Sequence, residues 1–105
     1  MSETQFLIMC GLIAPAHGYA IMRSVEERTG GATSLHAGTL YRALSRLVDA
    51  ELITEVDEPM EEEGADGRRR YYRVTSSGRA AAAEEARRLE RQLGAARAHG
   101  LLEGT

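Results

Sequence analysis

The chain has 105 residues, a formal net charge of −3, and arginine as every one of its 13 basic side chains. That length holds one domain with a modest core, and the mild acidity excludes a global positive field for nucleic acid. The single cysteine, Cys10, excludes an internal disulfide and a cysteine-rich zinc site.

Thr4 to about Ala14 reads as a short, largely buried helix ended by Pro15, built on the apolar run Phe6-Leu7-Ile8-Met9-Cys10-Gly11-Leu12-Ile13. The run is too short to cross a bilayer and lacks a basic leader and cleavage site, so a cytoplasmic protein without a membrane partner is expected. Cys10 reads as a buried small hydrophobe rather than a redox sensor. His17-Gly18-Tyr19 opens a second helix through about Arg28, with Tyr19, Met22 and Val25 at helical spacing. Gly30-Gly31 stops it. Ser34-Leu35-His36 leads into a third helix ending near Ala50, with Ser34 or His36 as the N-cap.

That third helix has an apolar face of Leu40, Leu44, Leu47 and Val48 and a polar face of Thr39, Arg42, Ser45 and Arg46. Leu52–Val56 then reads as a strand and Arg69–Val74 as its partner, with Tyr72 and Val74 on one face and Tyr71 and Arg73 on the other. A long, acidic, Gly-containing loop separates them; the segment from Glu55 to Asp66 includes Glu61-Glu62-Glu63. The partner strand follows Gly67 and opens on the adjacent guanidiniums of Arg68, Arg69 and Arg70.

Thr75 or Ser76 caps a last helix running to about His99. Along it Ala82, Ala86, Leu89, Leu93 and Ala96 alternate four- and three-residue steps, a narrow coiled-coil-like seam. Its outer face is rich in Arg and Glu, and Glu84 and Arg88 stand at ion-pair spacing. A domain this small leaves such a seam uncovered, and a symmetry-related copy is the simplest cover. Residues 76–105 are therefore expected to form a dimerisation helix and a frayed tail, with Phe6 and Met9 of the first helix joining the interface. The alternative is that the helix caps its own domain.

A polar helix beside a basic hairpin is the layout of a winged helix-turn-helix, here residues 1–75 of a mainly α chain with a small β-hairpin. In this reading Thr39, Arg42 and Ser45 face base edges, and Arg42 alone can fork onto a guanine. Gly38 lets the helix N-terminus approach a phosphate. Tyr41 either donates its hydroxyl to a phosphate or packs beside Leu40 and Leu44; Arg46 either joins it or pairs with Asp49 or Glu51. Arg68, Arg69 and Arg70 neutralise phosphates or enter the minor groove.

His17-Gly18-Tyr19, Gly38-Thr39-Leu40-Tyr41-Arg42-Ala43-Leu44 with Arg46-Leu47, and Gly67-Arg68-Arg69-Arg70-Tyr71-Tyr72-Arg73-Val74-Thr75 with Gly78-Arg79 resemble the PadR family of winged-helix regulators. The resembling segments span roughly residues 5–80. With one helix after the wing, the chain looks like the family's small subfamily. The resemblance implies a homodimeric transcriptional regulator, usually a repressor, on an inverted-repeat operator in double-stranded DNA. It also implies release by a small planar or phenolic effector. It turns Tyr19 toward DNA-backbone contact; His36, which with Ala37 departs from the family's small polar residue and proline ahead of Gly38, and Tyr72 complete the expected DNA face. The chain lacks the tryptophans with which some relatives hold flat ligands.

The three histidines stand far apart, with no carboxylate or thiol at ligand spacing, so neither a metal, a cofactor nor an enzyme activity is expected. Two rivals remain. One is a winged-helix protein-interaction module without DNA binding, favoured by the acidic segment. The other is a ligand sensor with a pocket lined by Phe6, Met9, Cys10, Leu89 and Leu93.

Overall fold

The computed structural model describes residues 1–57 and 70–102. Four helices and a three-stranded antiparallel sheet follow one another as α1 (Glu3–Cys10), β1 (Ala16–His17), α2 (Gly18–Arg28), α3 (Ala37–Asp49), β2 (Ile53–Val56), β3 (Tyr71–Val74) and α4 (Ser76–Ala98). The order β1-β3-β2 puts β3 at the centre of the sheet. Register fixes Ile53 opposite Val74 and Glu55 opposite Tyr72.

α1 starts with a capping box, in which the Ser2 hydroxyl accepts from the Gln5 amide and the Gln5 side chain accepts from the Ser2 amide. The helix stops four residues before the expected end at Ala14. Leu12 leaves the helix because its carbonyl accepts the Val74 amide at 3.1 Å, which pins the chain to the sheet while its side chain is fully buried. β1 was not expected at all. It pairs Ala16 with Tyr72 and His17 with Tyr71, and this places His17 as the N-cap of α2, its Nδ1 accepting the Ala20 amide at 3.3 Å.

The core lies where α1, α2 and α3 meet the sheet. Ile8, Met9, Leu12, Ile21, Leu40, Leu44, Leu47 and Ile53 are each at most 1% exposed, with Tyr72 and Val74 closing the sheet side. α3 follows its expected apolar spacing except at Val48, which is exposed. α2 is turned from the expected face: Gly18, Ile21 and Val25 point inward, while Tyr19 stands 59% exposed. Tyr71, on the opposite face of β3 from Tyr72, is buried as well, because β1 lies alongside and the His17 ring meets it edge-on at 5.3 Å.

Three helices close with the same paired amide-to-carbonyl bonds, the Schellman arrangement. In α2 the Gly30 and Gly31 amides donate to the Glu27 and Glu26 carbonyls; in α4 those of Gly100 and Leu101 donate to Arg97 and Ala96. In α3 the Glu51 and Leu52 amides donate to Val48 and Leu47. The left-handed position is glycine in the first two but Glu51 in α3, at φ 63°.

α4 is docked by its first two turns and then leaves the domain. Gly78 is its only buried residue and packs so closely that a Cβ there would overlap the Leu52 carbonyl. One turn on, Ala82 packs against the domain's own core. Beyond Ala83 only Glu85 and Ala96 are less than exposed, and the molecule extends 51 Å along its long axis against 28 and 25 Å across. Among the described residues no helix is long and apolar enough to cross a membrane.

Candidate nucleic-acid interface

α3 presents its polar residues in two rows. Tyr41, Ser45 and Val48 face the sheet and line a groove with Leu44, Glu55, Arg70 and Tyr72. Thr39, Arg42 and Arg46 face the start of α1 and line a smaller hollow with Ser2, Thr4, Gln5 and Ala43. Gly38, Tyr41, Arg42, Ser45 and Arg46 are all exposed; Thr39 is half-buried against α1. The buried row Leu40, Leu44 and Leu47 anchors this surface from beneath, so the polar side chains stand on a rigid helix.

His36 occupies the N-cap position of α3 and is exposed, but its side chain makes no capping bond. The first-turn amides of α3 therefore lack the side-chain acceptor that serves α1, α2 and α4. Among the described residues Arg46 pairs with neither Asp49 nor Glu51.

At the sheet edge of the groove, Arg70 precedes β3, and its Nε lies 3.7 Å from a Glu55 carboxylate oxygen. Both side chains are more than half exposed, so the contact is screened and weak. Arg68 and Arg69 lie outside the described residues, as does most of the acidic segment. Tyr72 is the expected DNA contact that the structure removes from the surface. The residue is 5% exposed within the core, with Arg70 as a side-chain hydrogen-bond partner. Burial pushes that phenol above its ordinary range, partly offset by the Arg70 hydrogen bond.

Tyr41 stands on the sheet-facing row of α3. The ring is about half exposed, yet its hydroxyl lies against Gly18 at the start of α2. Tyr19 stands beside it in chain order on the exposed side of α2, with its ring 6.5 Å from His17 and the Arg23 guanidinium 5.9 Å from its centre. The capping role of His17 was missed by sequence reasoning. The signal was present in its position ahead of Gly18, but histidine is an uncommon cap.

The expected dimer residues divide. Met9 is fully buried in the domain core and is not free to meet a second chain, while Ala82 is half-buried against that core. Leu89 and Leu93 are each 38% exposed, Ala86 is exposed and Ala96 half-buried. Phe6 is half-buried on α1. The ion pair expected between Glu84 and Arg88 forms instead between Glu85 and Arg88, one residue closer. Among the described residues no three His, Cys, Asp or Glu side chains gather where they could hold a metal ion.

A recognition helix packed across two others, followed by a strand pair at its flank, defines a winged helix-turn-helix protein. A model of the transcriptional regulator PadR-like family matches residues 8–84, and the chain belongs to that family. It is similar over 93% of its length to a PadR family transcription regulator from hypervirulent Clostridium difficile, at 26% identity and a TM-score of 0.78, covering 98% of that chain. It shares the fold of Bacillus subtilis PadR solved with operator DNA, at 23% identity and a TM-score of 0.68, over 82% of this chain and 48% of that one. An uncharacterised protein from Lysinibacillus sphaericus is 33% identical over 64 residues, which are 61% of this chain and 56% of that relative.

Proposed function

We propose that the chain is a DNA-binding transcriptional repressor that works as a homodimer on an inverted-repeat operator and is released by a small-molecule effector. The observation that carries the DNA reading is the α3 surface: Arg42, Ser45 and Arg46 stand exposed over a fully buried leucine row, with Arg70 across the groove. Structural likeness to a PadR protein solved with operator DNA supports the same reading.

In this mechanism α3 enters the major groove. Arg42 forks onto a guanine edge, worth about 1–3 kcal/mol of discrimination, while Ser45 contacts a neighbouring base. Thr39, partly turned toward α1, is placed for the rim of the groove. The uncapped first turn of α3, opened by His36 and Gly38, offers its amides to a phosphate, as does the Tyr41 hydroxyl beside α2. Tyr19, Arg46 and the wing arginines Arg68, Arg69 and Arg70 hold the backbone. Tyr72 acts from the core by supporting Arg70. Because the net charge is −3, affinity depends on these local cations and not on the whole molecule's field.

Dimerisation would use the part of α4 that leaves the domain, through Ala86, Leu89, Leu93 and Ala96, with Phe6 at its edge. Effector control is supported by family membership, and Phe6, Cys10, Leu89 and Leu93 would line its site. The test is binding to the DNA upstream of the protein's own gene as salt is raised, beside a variant with Arg68, Arg69 and Arg70 all changed to alanine. Binding that weakens steeply with salt and is lost in the variant supports the proposal. Equal binding by the variant removes the wing from it. Failure to bind any genomic fragment at low salt turns the reading toward protein partners.

A further inference from the structure

Glu55, Tyr72 and Arg70 fall on one face of the hairpin. Glu55 is directly opposite Tyr72 in the register, and Arg70 stands two residues before Tyr72, so the two-residue strand period puts all three side chains on the same side. That side is the one turned to α3, because Tyr41, Ser45 and Val48 close the same groove, of about 260 Å³. Glu55 and Arg70 are thus a diagonal cross-strand pair, in reach of each other across Tyr72. Tyr72 is buried in the core, which pushes its phenol up while a side-chain hydrogen bond with Arg70 lowers it, and the Glu55 carboxylate lies 3.7 Å from the Arg70 Nε.

At 3.7 Å from Nε to carboxylate oxygen, the contact is an ion pair without a direct hydrogen bond. It orients Arg70 and, among the described residues, leaves the guanidinium fork without a bidentate carboxylate partner. A phosphate, which takes two parallel N–H bonds from arginine, is the stronger acceptor. Glu55 therefore has to give up Arg70 when DNA arrives, and its own charge then stands close to the phosphate.

We propose that Glu55 is a positioning residue that restrains Arg70 on the recognition-helix side of the wing and competes with DNA phosphate for it. The proposal rests on the DNA-binding reading above and sets one wing arginine's share of the affinity by an acidic neighbour.

The test is a double-mutant cycle of Glu55→Gln and Arg70→Gln, measured on a random-sequence duplex about three helical turns long, from about 50 to 200 mM salt. Glu55→Gln is expected to tighten binding about threefold, the scale of an exposed ion pair. The gain should shrink as salt is raised, because the exposed ion pair that opposes binding is screened. In the Arg70→Gln background most of the gain should disappear, which a general loss of negative charge would not produce. Unchanged or weaker binding by Glu55→Gln, or an equal gain without Arg70, overturns the proposal. If the unaltered protein binds no duplex at the lowest salt, the DNA reading itself falls and this proposal with it, an outcome read from the unaltered protein alone.

Discussion

Glu51 occupies a left-handed position at φ 63°, where the equivalent positions after α2 and α4 are glycines. A side chain in that conformation costs about 1–2 kcal/mol, and the Glu51 carbonyl is held there by the Thr75 hydroxyl at 2.8 Å. Glu51→Gly keeps the carbonyl and removes the steric cost, while the unfolded chain gains freedom. A net stabilisation of about 0.5–1 kcal/mol is expected in urea unfolding; a loss of stability would show that the Glu51 side chain contributes something the structure does not reveal. Cys10 is a second residue with a measurable consequence. Burial pushes its thiol up, partly offset by the Arg28 guanidinium. A raised pKa in the folded state favours the protonated thiol, so its contribution to stability is whole below the unfolded pKa. It is lost as pH rises through the folded value. Iodoacetamide should therefore label native Cys10 more slowly at pH 8 than it labels the urea-unfolded chain. Equal rates would place the thiol in an open, unperturbed site.

At the scale of elements, α3 was legible because four leucine-or-valine positions at helical spacing left one polar face, and only Val48 departs from it. α1 and α2 were legible as helices but not in their ends or faces. A backbone bond from Val74 to Leu12 ends α1, and a two-residue strand at Ala16–His17 rotates the entry to α2. Neither long-range pairing leaves a periodic trace in so few residues. For the same reason the burial of Tyr71 and Tyr72 on opposite faces of β3 could not be read from alternation alone. α4 shows how a local rule fails against packing. Glycine in a helix usually gives way to alanine with a gain of about 1 kcal/mol. At Gly78 the added methyl would meet the Leu52 carbonyl, with the Met9 methyl nearby. Gly78→Ala is expected to lower the unfolding free energy by about 3 kcal/mol, the upper part of the range for an overfilled core. Gly94→Ala, on the same helix with open space around it, should raise stability instead.

The whole molecule is a small domain with a long arm. α4 spans 23 residues, about 34 Å of helix, and its outer half carries Leu89 and Leu93 in the open. Changing both leucines to serine leaves the domain core untouched and should shift sedimentation toward the monomer mass. A variant that still sediments as a dimer would move the interface elsewhere. The candidate DNA face was visible in the sequence as arginines and a polar helix. The division of that face into an α1 row and a wing row depends on three-dimensional neighbours, as does the withdrawal of Tyr72 and Met9 into the core. The proposed DNA recognition by α3 and twofold symmetry through α4 are tested together by enrichment and sequencing of genomic fragments bound by the full chain. An inverted repeat, with half-sites about one helical turn or a multiple of it apart, is the expected result. Enrichment of an unpaired site, of direct repeats, or of no sequence at all would contradict it.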